Sequence, residues 1–84
     1  MNKKILVTGG AGYIGSHTVV ELFLSGYQPI IVDNMCNTSE RNIIGINNLL
    51  KTTIPFHNID CTDLEQMNIF FENHKDIHAV IHFA

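Results

Sequence analysis

Val7-Thr8-Gly9-Gly10-Ala11-Gly12-Tyr13-Ile14-Gly15 joins an apolar, strand-like run to a helix-like one. Gly10-x-Gly12-x-x-Gly15 matches the glycine turn that cradles a dinucleotide pyrophosphate, and Gly9-x-x-Gly12-x-x-Gly15 matches its wider-spaced variant. One glycine allows the tight turn out of the strand. One lets backbone approach the pyrophosphate without a Cβ in the way. Gly15 lets the helix pack closely on the strand. The pyrophosphate is then expected on backbone N–H groups at the helix N-terminus, where the macrodipole favours negative charge.

The flanking residues supply the context that three glycines alone lack. Lys4 to Thr8 is apolar on both faces, as in a central parallel strand covered by helices on each side. Tyr13 to Ser25 reads as a helix with Ile14, Val19, Leu22 and Phe23 inward, and Gly26 follows as a residue suited to the left-handed conformation. Gln28 to Val32 is a second strand, and it ends at Asp33. A carboxylate about 20 residues beyond the glycines binds the adenosine ribose hydroxyls. It would repel a 2′-phosphate, so the expected cofactor is NAD rather than NADP. A nucleoside-triphosphate loop is excluded, because Gly15 is followed by Ser16-His17 where that motif needs Lys and then Ser or Thr.

The alternation continues. Asn34 to Ser39 is a polar loop in which Thr38 or Ser39 can cap a helix over Glu40 to Lys51, with Ile43, Ile46, Leu49 and Leu50 as its apolar positions. Gly45 weakens that helix by about 1 kcal/mol relative to Ala. Pro55 to Ile59 is a short third strand. Thr62-Asp63-Leu64-Glu65 reads as a capping box opening a helix to about Asn73, which would bury some of Leu64, Met67, Ile69, Phe70 and Phe71. Ala79 to Phe83 is a fourth strand. The sum is β-α-β-α-β-α-β: an α/β, Rossmann-type doubly wound parallel sheet, incomplete, with strand order 3-2-1-4 and the cofactor at the switch point between strands 1 and 4.

Composition limits the other classes. The 84 residues carry a net charge of −3 with 15% charged and 45% hydrophobic residues, so there is no basic stripe for nucleic acid and no disordered signature. No apolar run approaches the ~18–20 residues of a membrane span, and the run after Lys3-Lys4 ends too soon for a signal peptide. Cys36 and Cys61 form neither a CxxC pair nor a disulfide framework, which fits reduced thiols in the cytoplasm. A chain of this size buries roughly 60–65% of its unfolded surface. With an apolar fourth strand at the sheet edge, it is expected to be marginally stable and association-prone.

Thr8-Gly9-Gly10-Ala11-Gly12-Tyr13-Ile14-Gly15-Ser16-His17 resembles the extended short-chain dehydrogenase/reductase family, in the group that acts on nucleotide sugars. Val32-Asp33-Asn34-Met35-Cys36-Asn37-Thr38-Ser39 is similar to the ribose-contacting loop of that family's 4-epimerases, and Ile81-His82-Phe83-Ala84 resembles the end of its fourth strand. The resemblance covers essentially the whole chain. It implies that Gly9, Gly12 and Gly15, with Tyr13 and Ile14, hold the pyrophosphate of NAD. It implies that Asp33 holds the ribose, with Asn34, Met35, Cys36, Asn37 and Thr38 on the adenosine side. Asp60 and Cys61 would flank the adenine, and Phe83 and Ala84 the nicotinamide half. Ile59 stands before Asp60 where glycine is common in the family.

The same resemblance defines what this stretch lacks. In the family a tyrosinate removes the sugar 4-hydroxyl proton, and a lysine four residues later depresses the tyrosine pKa. Here Tyr13 is followed at that offset by His17 and Tyr27 by Ile31, so no catalytic residue is assigned. Residues 1–84 are expected to be the N-terminal part of an NAD-binding domain. The catalytic and sugar-nucleotide parts would lie outside it, and the chain would be inactive alone. The expected partner is the dinucleotide. A UDP-sugar is expected only with the missing part present, a homodimer is expected of the parent, and nucleic acid and membrane are not expected. Two alternatives remain: a stand-alone or complementing dinucleotide module, and a fragment of a sugar-nucleotide 4,6-dehydratase. No metal site is expected, since His78 and His82 lie on one strand and His17, His57 and His74 are scattered. His82 is expected near the cofactor crevice or in a satisfied hydrogen bond, and Cys36 has no neighbour that would lower its pKa.

Overall fold

The computed structural model describes residues 2–34 and 40–83. The elements are β1 (Lys4–Thr8), α1 (Tyr13–Leu24), β2 (Gln28–Asp33), α2 (Glu40–Leu50), β3 (Phe56–Asn58), α3 (Leu64–Asn73) and β4 (Ile77–His82). The four strands form one parallel sheet in the order β3-β2-β1-β4. With this order, right-handed crossovers place α1 and α2 on one face of the sheet and α3 on the other.

β1 is the centre of both core layers. On one face Ile5 and Val7 pack with Ala11, Val19, Ile31, Ile46 and Ile54 beneath α1 and α2. On the other, Leu6 packs with Ile30, Val32 and Phe70 beneath α3. The continuous apolar run of β1 is therefore a strand buried on two sides.

Helical period decides which side chains reach the core. In α1 the inward stripe is Gly15, Val19, Leu22 and Phe23, spaced i, i+4, i+7 and i+8. Ile14 is one residue off that stripe, a turn of about 100°, and it is 64% exposed rather than inward. In α2, Ile43, Ile46 and Leu50 pack inward, while Leu49 lies off the stripe and is exposed. In α3, Phe70 is buried and Met67 packs beside it, whereas Leu64, Ile69 and Phe71 face outward.

The helix ends follow local chemistry. Beyond α1, Gly26 takes φ +94. The Gly26 N–H then donates to Phe23 O and the Tyr27 N–H to Leu22 O, which closes the helix with a paired C-terminal motif. At α3 the expected Thr62–Glu65 capping box does not form. Asp63 is the N-cap, and its Oδ1 accepts from the Gln66 N–H at 3.2 Å. Thr62 is engaged one step earlier, donating both its hydroxyl and its N–H to Asp60 Oδ1. β3 is shorter than the expected Pro55–Ile59, and β4 runs Ile77–His82 rather than Ala79–Phe83. The expected Thr38 or Ser39 cap of α2 lies outside the described residues.

Candidate functional site

All four strands are parallel, so their C-terminal ends share one edge of the sheet. Thr8 stands beside Val32 on one side and His82 on the other, and Asp33 stands beside Asn58. The glycine loop rises from this edge between β1 and α1. Gly9 leaves β1 with φ +71, a conformation that glycine adopts without steric cost. Its N–H donates to Val32 O at 2.8 Å, and the Gly12 N–H returns to Gly9 O at 3.1 Å.

Gly15 is the tightest point. A Cβ there would lie 2.1 Å from Gly9 O and 2.9 Å from Gly10 Cα. Its close approach is thus to the loop backbone, where the sequence suggested the strand. At Gly10 a Cβ would lie 3.0 Å from both Val7 O and Ile31 Cγ2. The loop therefore folds back on the first turn of α1 at a distance only glycine permits. Gly12 is the N-cap of α1 and no side chain caps it. Tyr13 and Ile14 occupy the exposed first turn, whose leading N–H groups have no intrahelical carbonyl to reach. These features together fit a diphosphate: backbone donors at an exposed helix N-terminus, reached through a loop of glycines.

Asp33 closes β2 beside this loop. It is 9% exposed, and its Oδ2 accepts from the Ala11 N–H at 3.1 Å. Asn42 of α2 grips the other end of the same residue, donating through Nδ2 to Ala11 O at 2.7 Å. Asn42 was not foreseen in the sequence; a lone Asn near a helix start reads as a solvated residue, and only the crossover brings it to the loop.

The remaining expected contacts lie along the same edge where they are described. Asn34 follows β2 and is exposed. Asp60 and Cys61 follow β3, with Cys61 a free, half-buried thiol. The Asp60 carboxyl is held below the usual carboxylate range by the Thr62 hydroxyl and then by the Thr62 N–H. Phe83 follows β4; its side chain is 44% exposed and its N–H donates to Thr8 O at 2.9 Å, which ties it to the end of β1. Met35, Cys36, Asn37, Thr38 and Ala84 lie outside the described residues. His82 is in a satisfied hydrogen bond, its Nδ1 2.5 Å from Thr8 Oγ1.

A concavity of about 330 Å³ lies between β3 and α3, lined in part by His57, Phe70 and His74. The Phe70 ring stacks on His74 at 4.2 Å, and His57 meets both rings edge-on. His74 Nδ1 is 2.8 Å from Phe70 O, which can only accept, so that nitrogen carries the proton. Burial, and then the neighbouring His74, lower the pKa of His57 from 6.5. This cluster is a packing contact between α3 and the sheet edge. Among the described residues no group of three or more metal-ligating side chains comes together, and no helix is long and apolar enough to cross a membrane.

Known proteins resemble this chain in sequence and in fold. A UDP-glucose 4-epimerase of Dictyostelium discoideum is 45% identical over the whole chain, which spans 24% of that protein. A UDP-glucose 4-epimerase from Stenotrophomonas maltophila, crystallised with NAD and formylated UDP-arabinopyranose, superposes with a TM-score of 0.90 at 41% identity. The match covers 99% of this chain and 24% of that one. A Bifidobacterium longum UDP-glucose 4-epimerase, in complex with NAD+ and UDP, gives 0.85 at 39% identity, covering 96% of this chain and 24% of that one. The chain thus spans about a quarter of the length of these relatives. Residues 5–84 match the NAD dependent epimerase/dehydratase family, and the chain belongs to that family.

Proposed function

We propose that this chain is the dinucleotide-binding front of a UDP-glucose 4-epimerase, a cytosolic isomerase of galactose metabolism, and that it binds NAD+ across the C-terminal edge of its sheet. The observation that carries this reading is the Gly15–Gly9 contact. A helix N-terminus is pressed onto a glycine loop so closely that no Cβ fits, with the Asp33 carboxylate beside it.

Within that reading each residue has a defined task. Gly9, Gly12 and Gly15 shape the loop, and the first-turn amides of Tyr13 and Ile14 donate to the pyrophosphate. Asp33 accepts from the adenosine ribose hydroxyls, flanked by Asn34, Met35, Cys36, Asn37 and Thr38. Asp60 and Cys61 border the adenine, and Phe83 and Ala84 lie toward the nicotinamide. NAD+, when bound, supplies the hydride acceptor for C4 of a UDP-sugar. This chain contributes no group to take the hydroxyl proton, because Tyr13 and Tyr27 have His17 and Ile31 where the partner lysine would stand. We therefore assign residues 1–84 to cofactor binding, with proton transfer and sugar binding left to residues beyond them.

Calorimetric titration of the chain with NAD+, against an Asp33→Ala control, tests the reading. Micromolar binding abolished by the substitution is the expected result, and its absence in a folded chain would refute the assignment. Turnover of UDP-galactose by the purified chain would refute inactivity.

A further inference from the structure

Ala11 is fully buried between Gly10 and Gly12, and both of its peptide groups are held by side chains from other elements. Its N–H goes to Asp33 Oδ2 at the end of β2, 3.1 Å away, and its C=O to Asn42 Nδ2 in α2, 2.7 Å away. Backbone hydrogen bonds tie the loop further, from Gly9 N–H to Val32 O and from Gly12 N–H to Gly9 O. Resting on the dinucleotide reading above, we propose that Asn42 is a positioning residue: it holds the glycine loop in the shape that presents the α1 amides to the cofactor diphosphate.

The geometry gives Asn42 a task that Asp33 cannot perform alone. Asp33 fixes where the Ala11 N–H points. The next peptide runs from Ala11 C=O to Gly12 N–H, and its orientation sets the approach to the N-cap Gly12 and hence the direction of the Tyr13 and Ile14 amides. With the carbonyl held by Asn42 and the amide by Gly9 O, that peptide plane is fixed at both ends. A loop held in its binding shape before the ligand arrives loses less entropy on binding. The link also connects two halves of the site. Asn42 stands in the first turn of α2, the helix that follows the adenosine-side segment, and it reaches the diphosphate-side loop.

Three ligands separate this role from a general structural one: NAD+, ADP and adenosine. They are titrated into the 84-residue chain carrying Asn42→Asp, Asn42→Ala or, as a control on the same helix, Asn48→Ala. Asn42→Asp keeps the shape and removes the donor. Asn42→Ala removes the group while improving helix propensity, so a loss cannot come from a weakened α2. The expected result is NAD+ and ADP affinity about five- to tenfold weaker in both Asn42 variants, the size of one hydrogen bond, with adenosine affinity unchanged. Faster hydrogen exchange at the Gly12 and Tyr13 amides of the unliganded variants, with Asn48→Ala like wild type, completes it. Variants that bind all three ligands as wild type does, or that lose all three equally, would overturn the role of Asn42 alone. A folded wild-type chain that binds neither NAD+ nor ADP would overturn the dinucleotide reading, and this role with it.

Discussion

Asp33, the last residue of β2, accepts a hydrogen bond through Oδ2 from the backbone N–H of Ala11, which is 22 residues earlier in the glycine loop. The carboxylate expected to meet the ribose thus also pins the loop expected to meet the phosphates. The two tasks separate by substitution. Asp33→Ala leaves the buried Ala11 N–H without its acceptor, which costs about 1–3 kcal/mol, and it also removes the ribose contact. Asp33→Asn keeps a neutral acceptor for Ala11, so most of the stability is retained. NAD+ affinity is nonetheless expected to fall about tenfold or more, the value of a charged hydrogen bond. The ratio of NADP+ to NAD+ affinity rises in the Asn variant, because the carboxylate that repels a 2′-phosphate is gone. Urea denaturation and calorimetry on the two variants check each part.

Gly15 and Gly45 are both helical glycines, and they are expected to respond in opposite directions to the same change. At Gly15 a Cβ would meet loop backbone at 2.1 Å, and nothing there is a flexible side-chain end that could move aside. Gly15→Ala is expected to destabilise by about 1–3 kcal/mol and to displace the loop from α1, with loss of NAD+ binding. At Gly45 a Cβ would meet nothing within 4 Å. Gly45→Ala is expected to stabilise by about 0.5–1 kcal/mol through backbone entropy and to leave NAD+ affinity as it was. Thermal unfolding with and without NAD+ separates a packing glycine from a merely tolerated one.

This contrast also marks how far the sequence could be read. The strand order and the crossing of the chain at Gly9–Gly15 follow from pattern, because an apolar run buried on two faces and a glycine turn leave little choice of topology. What pattern missed was set by competition between neighbours or by contacts across the fold. Ile14 is apolar and one residue from the stripe, and only the position of Gly15 against the loop fixes which side of α1 faces in. Thr62 and Asp63 can each cap a helix, and Asp60 decided between them by taking the Thr62 hydroxyl. Asn42 has no local signal at all, since its partner is 31 residues away. Asp33 stood out in the sequence as the carboxylate that ends the second strand, whereas its bond to Ala11 did not.

His57 makes stability depend on pH near neutrality. Burial and His74 lower its pKa in the folded chain below the 6.5 of the unfolded one, so the unfolded state binds more protons in between. Stability is then full above about 6.5 and declines as pH falls through the folded-state pKa. His57→Phe keeps an aromatic edge against Phe70 and His74 and removes the titration. Its unfolding free energy is expected to fall less between pH 7.5 and pH 5.5 than that of the wild type. Asp60 and Asp76 act in a separate, more acidic window. Both are held below 3.8, Asp60 chiefly by the Thr62 hydroxyl and Asp76 chiefly by the Lys4 ammonium at 2.6 Å. Their contributions are present above 3.8 and are lost as pH falls through the folded-state values. Denaturant midpoints measured at half-unit pH intervals for wild type and His57→Phe resolve the two windows. Equal slopes in the two proteins near pH 6 would show that His57 does not carry the neutral one.

β4 occupies the sheet edge opposite β3 and pairs along one side with β1. Val80 is 50% exposed on it and Ala79 is exposed too. An exposed apolar strand with an open row of backbone donors and acceptors templates pairing with a further strand. The 84-residue chain is therefore expected to associate as its concentration rises. The net charge of −3 opposes this only weakly, since repulsion between exposed charges is screened within about 8–10 Å at ordinary salt. Val80→Lys places a charge where a second strand would have to dock, and Val80 belongs to neither core cluster. Sedimentation velocity over a tenfold concentration range is expected to show self-association in wild type and a monomer in Val80→Lys. A wild-type chain that stays monomeric throughout, with a sharp and concentration-independent unfolding transition, would mean that the β4 edge is protected by the chain itself.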